Sequence, residues 1–336
     1  MYTATDPHSL PFAPRTLAQG CTVTIGNFDG MHYGHQSLIR HTVAKARADA
    51  LPAVLISFEP HPLQVLLREN APARLMSLAY KLECFAGMGV DLALIMPFTQ
   101  ETAALSPEEF VRQILVHCLN TRTLVVGYDY AFGKNRRGNA ALLRSLGRTH
   151  GYTLEQIPPV SLHGEIVSST RIRDTLLQGD VEDARALLGR PYSVEGTVEH
   201  GMKRGGELLG FPTANLCMQE PLLLPKTGVY AVMAEIRQPN PPSDAGASGR
   251  LCLQGVANVG KNPTFADAFV HVETHIFDFH EDIYGSSFRT HFVKRLRDEL
   301  QFNSVNGLIE QIHKDCSVAK EFFRVHPDVV SHGNYR

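Results

Sequence analysis

The sequence predicts two domains of different class: an α/β domain with a doubly wound parallel sheet, then an antiparallel barrel or sandwich followed by one helix. Three observations carry this. The chain has 336 residues, more than a single core of roughly 100–200 residues usually organises. Up to about residue 185, short, nearly continuous apolar runs alternate with segments of helical spacing, the pattern of parallel strands buried on both faces. Beyond that point β-rich segments succeed one another without long helices, as antiparallel sheets do. The expected domains are therefore 1–185 and 186–336.

In the first domain, strands are expected at 22–28 (TVTIGNF), 53–58 (AVLISF), 91–98 (DLALIMPF) and 123–128 (TLVVGY). Helices are expected over 35–50, 77–87 and 106–118. Leu38, Ile39, Thr42, Val43 and Ala46 mark one face of the first helix. Ser106-Pro107-Glu108-Glu109 combines a capping hydroxyl, a proline at the first helical position and acids in the first turn. In the second domain, PYSVEGTVEH, GVYAVMAEI, LCLQGVANV, FVHVETHIFDF and SFRTHFVKRL read as strands. The stretch 237–250, rich in Pro, Gly, Ser and Ala, reads as a hairpin loop. A closing helix over 304–324 carries Val305, Leu308, Ile309 and Ile312 at helical spacing.

The net charge of −2 excludes a global basic field for nucleic acid. Arg136 and Arg137, two arginines in a glycine loop, read as solvated or phosphate-facing. Six cysteines without a CxxC pair fit buried thiols in a reducing compartment. No signal-like segment or membrane-length apolar run is visible. The expectation is a cytoplasmic protein with neither nucleic acid nor membrane as partner, and compatible with a homo-oligomer.

The stretch TIGNFDGMHYGHQSLI, residues 24–39, stands between the first strand and the first helix. Gly26 and Gly30 allow a sharp turn and close ligand approach, and Gly34 leaves room beside the helix. His32 and His35, three apart, share a face of the first turn. A helix N-terminus favours phosphate oxygens, and imidazoles placed there donate hydrogen bonds to a phosphoryl centre and its leaving group. The lysine-bearing GxxxxGK[ST] loop is absent. Either half of the motif alone would equally suit a glycine turn with surface histidines, or a metal pair. The full string favours a nucleotide.

The second constellation is EGTVEHGMKRGGELLGFPTANL, residues 195–216. Gly201, Gly205, Gly206 and Gly210 suit a loop folded over phosphates, with Lys203 and Arg204 supplying charge. Thr213 and Asn215, two apart, point the same way in an extended segment and suit Mg²⁺ bound with ATP phosphates. Glu273 shares a strand face with His271 and His275. It reads as a general base for an alcohol, with a solvated edge acid or a His-x-Glu-x-His metal site as the alternatives.

Together these motifs resemble the HxGH nucleotidyltransferases, and within them the prokaryotic bifunctional riboflavin kinase/FMN adenylyltransferases. Further stretches match in order: SFEPHP (57–62), VGYDYAFGKNRRG (126–138), VSSTRIRDTL (167–176) and GVANVGKNPTF (255–265). The resemblance runs from about residue 20 to 325. It implies an N-terminal nucleotidyltransferase domain and a C-terminal riboflavin kinase barrel, with riboflavin, FMN and ATP as substrates, Mg²⁺ as cofactor, and FMN and FAD as products. It implies that His32 and His35 stabilise the α-phosphate transition state, while Ser168, Ser169, Thr170 and Arg171 hold the departing diphosphate. Gly26, Phe28 and Gly34 fall on the ATP side of that site. Gly201, Lys203, Arg204 and Gly210 fall on the ATP side of the kinase. Phe58, Pro60, His61, Asp129 and Phe132 match flavin-side positions, Thr213 and Asn215 the metal-binding pair, and Glu273 the kinase base. Tyr128 and Tyr130 depart from the residues common there. The competing readings are a riboflavin kinase with an inactive N-terminal domain, a non-catalytic flavin-binding regulator, and an HxGH transferase acting on another substrate.

Overall fold

The computed structural model describes residues 1–10, 17–134, 137–199, 211–237, 250–261 and 270–327. Arg136, the expected flap with Gly201, Lys203, Arg204, Gly205, Gly206 and Gly210, and nearly all of the loop at 237–250 lie outside them. The chain forms two compact units, Met1–Ala73 with Leu78–Ser168, and Arg74–Ser77 with the residues from Ser169 onward.

The first unit is a six-stranded, all-parallel sheet. Its strands are β1 (Tyr2–Ala4), β2 (Cys21–Ile25), β3 (Ala53–Glu59), β4 (Leu92–Pro97), β5 (Thr121–Gly127) and β6 (Thr153–Ile157). Their spatial order is β1-β4-β3-β2-β5-β6. The chain runs outward from β2 through β3 to β4, then returns to the other side of β2 with β5. The order thus reverses at β2/β5, the switch point where open α/β sheets bind ligands. Helices α1 (Tyr33–Ala48), α2 (Pro62–Leu67) and α3 (Leu78–Gly87) connect the early strands. The expected stripe of α1 is buried at Leu38, Ile39, Thr42 and Ala46, and Val43 is half-buried.

Ser106 and Glu109 form the anticipated capping box of α4 (Pro107–Phe110). The helix then continues as a π-helical stretch, Val111–Cys118, a change of winding that residue spacing does not reveal. Strands β1 and β6, α5 (Ala140–His150) and the short hairpin β7 (Ser161–Leu162) with β8 (Glu165–Ile166) also escaped the sequence reading. β6 has no fully buried residue, and β1 is too short to show a period.

The second unit contains α6 (Ser169–Gln178), α7 (Val181–Leu188) and a closed six-stranded antiparallel barrel. Its strands are β9 (Tyr192–Glu199), β10 (Ala214–Cys217), β11 (Gly228–Arg237), β12 (Arg250–Lys261), β13 (Val270–Ile276) and β14 (Ser287–Arg297). The order around the barrel is β10-β13-β12-β11-β14-β9. The sequence left barrel and sandwich open, and pairing of β9 with both β10 and β14 closes the barrel. β11 reads as a continuous apolar run because it is buried on both faces. Val229, Ala231 and Met233 pack with Ala319 and Phe323 of the terminal helix α8 (Val305–Val325). The alternate residues Tyr230, Val232, Ala234 and Ile236 are also fully buried. On the Glu235 side, a charged cluster joins Arg289 to Glu195 and Glu235, with His291 3.3 Å from Glu235.

All six cysteines are free. Cys21 and Cys84 are buried as expected, whereas Cys217 and Cys252 are exposed. Among the described residues no helix is long and apolar enough to cross a membrane.

Candidate active sites

Three expected motifs leave the carboxyl ends of adjacent strands β3, β2 and β5: His61 and its neighbours, the glycine–histidine turn, and the segment from Asp129 to Phe132. Parallel strands place those ends on one edge of the sheet, so long-range pairing gathers residues up to about 100 positions apart.

The turn itself is tightly wound. Phe28, Gly30 and Met31 all have positive φ, at 53°, 84° and 49°. Glycine accepts this freely, while each of the other two stores about 1–3 kcal/mol of strain that the surroundings must hold. Gln36 of α1 donates to the Met31 carbonyl at 2.8 Å, and Lys81 of α3 donates to the Asn27 carbonyl at 3.0 Å. Phe28, expected on the nucleotide side, has no exposed surface. Its ring meets His35 and Phe85 edge-on, with centroids 5.3 and 5.5 Å away, and it acts as a floor under His35. Gly26 lies above the same ring.

His32 is the N-cap of α1, its Nδ1 accepting the His35 backbone N–H at 3.3 Å. Accepting at Nδ1 fixes the tautomer and leaves Nε2 as the donor. The two rings stack with centroids 3.6 Å apart. Burial first, then the neighbouring His32 and Lys81, pull the His35 pKa well below its ordinary value of 6.5. His35 Nδ1 is buried and has no hydrogen-bond partner among the described residues. Gly34 is small for a specific reason: a Cβ there would stand 3.1 Å from His32 Cε1 and Nδ1. The Val167 carbonyl lies 3.8 Å from the same point, so the chain reaches Ser168 alongside the histidine turn.

Ser169, Thr170 and Arg171 open α6, as expected of an anion-binding segment, and Arg171 is loosely paired with Asp183 at 3.9 Å. The flavin-side residues divide. Asp129 and Pro60 are exposed, the latter after a cis peptide. Phe58 is half-buried against Phe98. His61 spends its Nδ1 on capping α2, and Phe132 packs on Phe110 and Tyr130 at the core margin. For these last two the structure provides a packing or capping role that motif matching does not reveal.

In the barrel, Asn215 of β10 stands directly opposite Glu273 of β13. Paired residues on adjacent strands share a face with Cβ atoms about 5 Å apart, so residues 58 positions apart in the chain are neighbours in space. Asn215 Nδ2 donates to the Thr213 carbonyl at 3.5 Å. That leaves the amide oxygen as its acceptor. Glu273 is about one-third exposed, and His271 Nε2 lies 3.3 Å from its carboxylate. His275, also on that face, hydrogen-bonds the Pro212 carbonyl at 2.9 Å and so pins the segment carrying Thr213. Among the described residues no group of three His, Cys, Asp or Glu side chains has metal-binding geometry, which disposes of the His271-x-Glu273-x-His275 cage.

The α/β unit with an HxGH turn at its switch point, joined in one chain to a barrel pairing Asn215 with Glu273, defines a two-module transferase. A FAD synthetase family model matches residues 15–171, and a riboflavin kinase family model matches residues 188–323. The bifunctional riboflavin kinase/FMN adenylyltransferase of Haemophilus influenzae is 38% identical over 91% of this chain and 96% of its own. Those of Escherichia coli K12 and Pseudomonas fluorescens are 36% and 39% identical, over 94% and 90% of this chain and 96% and 93% of theirs. A solved structure described as a macrolide-efflux protein from Streptococcus pneumoniae superposes with a TM-score of 0.80 at 30% identity, covering 95% of this chain and 99% of that one. The chain belongs to the bifunctional riboflavin kinase/FMN adenylyltransferase family.

Proposed function

We propose that the chain makes FAD in two steps, phosphorylating riboflavin to FMN in the barrel and adenylylating FMN to FAD, with release of pyrophosphate, at the parallel sheet. The functional domains on this reading are 1–185 and 186–336. Both family models and the full-length relatives support it.

The observation that carries the kinase assignment is the cross-strand pairing of Asn215 with Glu273. It supports a partly exposed carboxylate beside neutral oxygen ligands. Glu273 takes the proton from the ribityl hydroxyl as that oxygen attacks the γ-phosphate of ATP, whose bond to the β-phosphate oxygen breaks to release ADP. Thr213 and Asn215 offer hard, uncharged oxygens, which suit Mg²⁺ when most of its negative partners are phosphates. The ion, when bound, neutralises phosphate charge. Gly201, Lys203, Arg204 and Gly210, outside the described residues, are assigned to the ATP phosphates.

At the sheet, His32 Nε2 and the His35 ring donate to the α-phosphoryl oxygens as the FMN phosphate attacks and pyrophosphate leaves. Gly26 and Gly34 give that phosphate its room, and the Phe28 ring holds His35 from below. Ser168, Ser169, Thr170 and Arg171 receive the diphosphate by hydroxyl and guanidinium donors. Phe58, Pro60, His61, Asp129 and Phe132 are assigned to the flavin side. Catalysis at both sites is positioning and charge stabilisation.

The test is chromatography of flavins after incubating the protein with riboflavin, ATP and Mg²⁺, with FMN expected first and FAD second. Glu273→Gln should abolish FMN formation, about 10²–10⁴-fold for a lost general base, and still convert FMN to FAD. His35→Ala should do the reverse. Loss of both steps in a folded variant would refute separate sites.

A further inference from the structure

Lys81 lies in α3, whose buried face otherwise consists of Tyr80, Cys84 and Phe85. A lysine is among the residues least often fully buried without a specific partner, yet Lys81 is only 1% exposed. Its ammonium donates to the Asn27 carbonyl at 3.0 Å, and Ser57 Oγ reaches the same oxygen at 3.4 Å. One helical turn on, at i+4, Phe85 abuts Phe28, the residue that supports His35. The same face of α3 therefore grips the turn twice, once through a carbonyl and once through an aromatic floor.

From this placement we infer that Lys81 is a positioning residue for adenylyl transfer. It clamps the left-handed turn through the Asn27 carbonyl, and its ammonium adds a positive charge on the side of the turn where the Phe85–Phe28 pair supports His35. The inference rests on the assignment of His32 and His35 to the adenylylation site.

Two contributions separate in physical terms. The clamp is mechanical: Phe28 and Met31 sit in the left-handed region, and a turn wound that way relaxes unless its carbonyls are held. The charge is electrostatic, and it acts through a dry interior where like charges are weakly screened. His32 and Lys81 both lower the affinity of His35 for a proton, after burial itself. The remaining ionisable group of the turn is Asp29, buried at 3% exposure. A neutral His35 keeps one N–H and one acceptor. An imidazolium stacked 3.6 Å from His32 would instead repel any charge on its partner ring.

The test compares Lys81→Gln, which retains a donor for Asn27 and removes the charge, with Lys81→Arg, which retains both. The His35 ring is titrated by NMR without turnover, its resonance assigned by its disappearance in His35→Ala, and FMN adenylylation is followed against pH. In Lys81→Gln the His35 titration should rise toward its ordinary value. The acid limb of the rate should rise with it, activity falling about tenfold per pH unit below that limb. Lys81→Arg should leave both where they are, and riboflavin phosphorylation in the same preparations should be unaffected. Equal losses in the two variants with the His35 titration unmoved would reduce Lys81 to scaffolding and overturn the proposal, as would no effect in either. If Lys81→Gln fails to fold, the wild-type titration decides: an ordinary imidazole value for His35 refutes it. Full FAD synthesis by His35→Ala would instead refute the site assignment itself.

Discussion

An alanine at position 34 would place its Cβ 3.1 Å from both Cε1 and Nδ1 of His32, a few tenths of an ångström inside ordinary contact. The backbone of α1 is anchored, since Ile39, about a turn and a half along the helix, has no exposed surface. The His32 ring must give way. It is held on two sides, by stacking on His35 and by accepting the His35 N–H at 3.3 Å. A further stretch of that bond loses the cap, worth about 1 kcal/mol. Alanine returns about 0.5–1 kcal/mol over glycine in a helix interior, and less near the first turn. Net stability should therefore change by less than about 1 kcal/mol. The donor geometry at the α-phosphate changes more seriously, because displacements approaching 1 Å at a reacting centre cost up to about 10²-fold. Gly34→Ala should slow FAD formation from FMN about 10- to 100-fold, with riboflavin phosphorylation unchanged in the same sample. Chromatography of the flavins and a urea titration read both quantities. Wild-type adenylylation in a stably folded Gly34→Ala would show that the His32 position is not what glycine protects.

Other outcomes follow from the same contacts. His275→Ala removes the donor to the Pro212 carbonyl; a lost hydrogen bond of about 1 kcal/mol raises the KM for ATP in the kinase step about fivefold, and steady-state kinetics at saturating riboflavin would show it. Burial alone would raise the Glu235 pKa, yet His291, Arg289 and Arg237 hold it well below the carboxylate range. Glu235→Gln removes one of the carboxylates paired with the buried Arg289, so a loss of about 3 kcal/mol is expected in chemical denaturation. His35 and His291 both have lowered pKa values, burial being the largest cause in each. The unfolded chain takes up these protons near pH 6.5 while the folded chain does not, so stability is constant above that pH and falls below it. Each such histidine costs about 1.4 kcal/mol per pH unit until its own folded pKa is reached. Thermal unfolding between pH 7.5 and 5.5 should show this decline, and His35→Asn should flatten it.

Much of the molecule is legible in the chain itself. The runs at 53–58 and 91–98 are strands whose burial on both faces leaves them nearly continuously apolar, and the capping box at Ser106 announces its helix locally. The HxGH turn and the FPTAN segment (211–215) are likewise local, and stand out as motifs in the chain itself. What spacing could not supply is pairing. That β5 returns beside β2, making the switch point, and that Asn215 faces Glu273 across two strands, are consequences of register between distant segments. Lys81 hid for the same reason: on the sequence it is one charge in an amphipathic helix, and only the packing of α3 under the turn turns it toward Asn27. α6 and α7 look like a continuation of the α/β alternation, but they cluster with the barrel. Periodicity and motif chemistry are properties of neighbours along a chain, and they determined the class of each domain and the chemistry it carries. Which of those groups meet is settled by long-range packing, whose energy depends on partners that no local pattern contains.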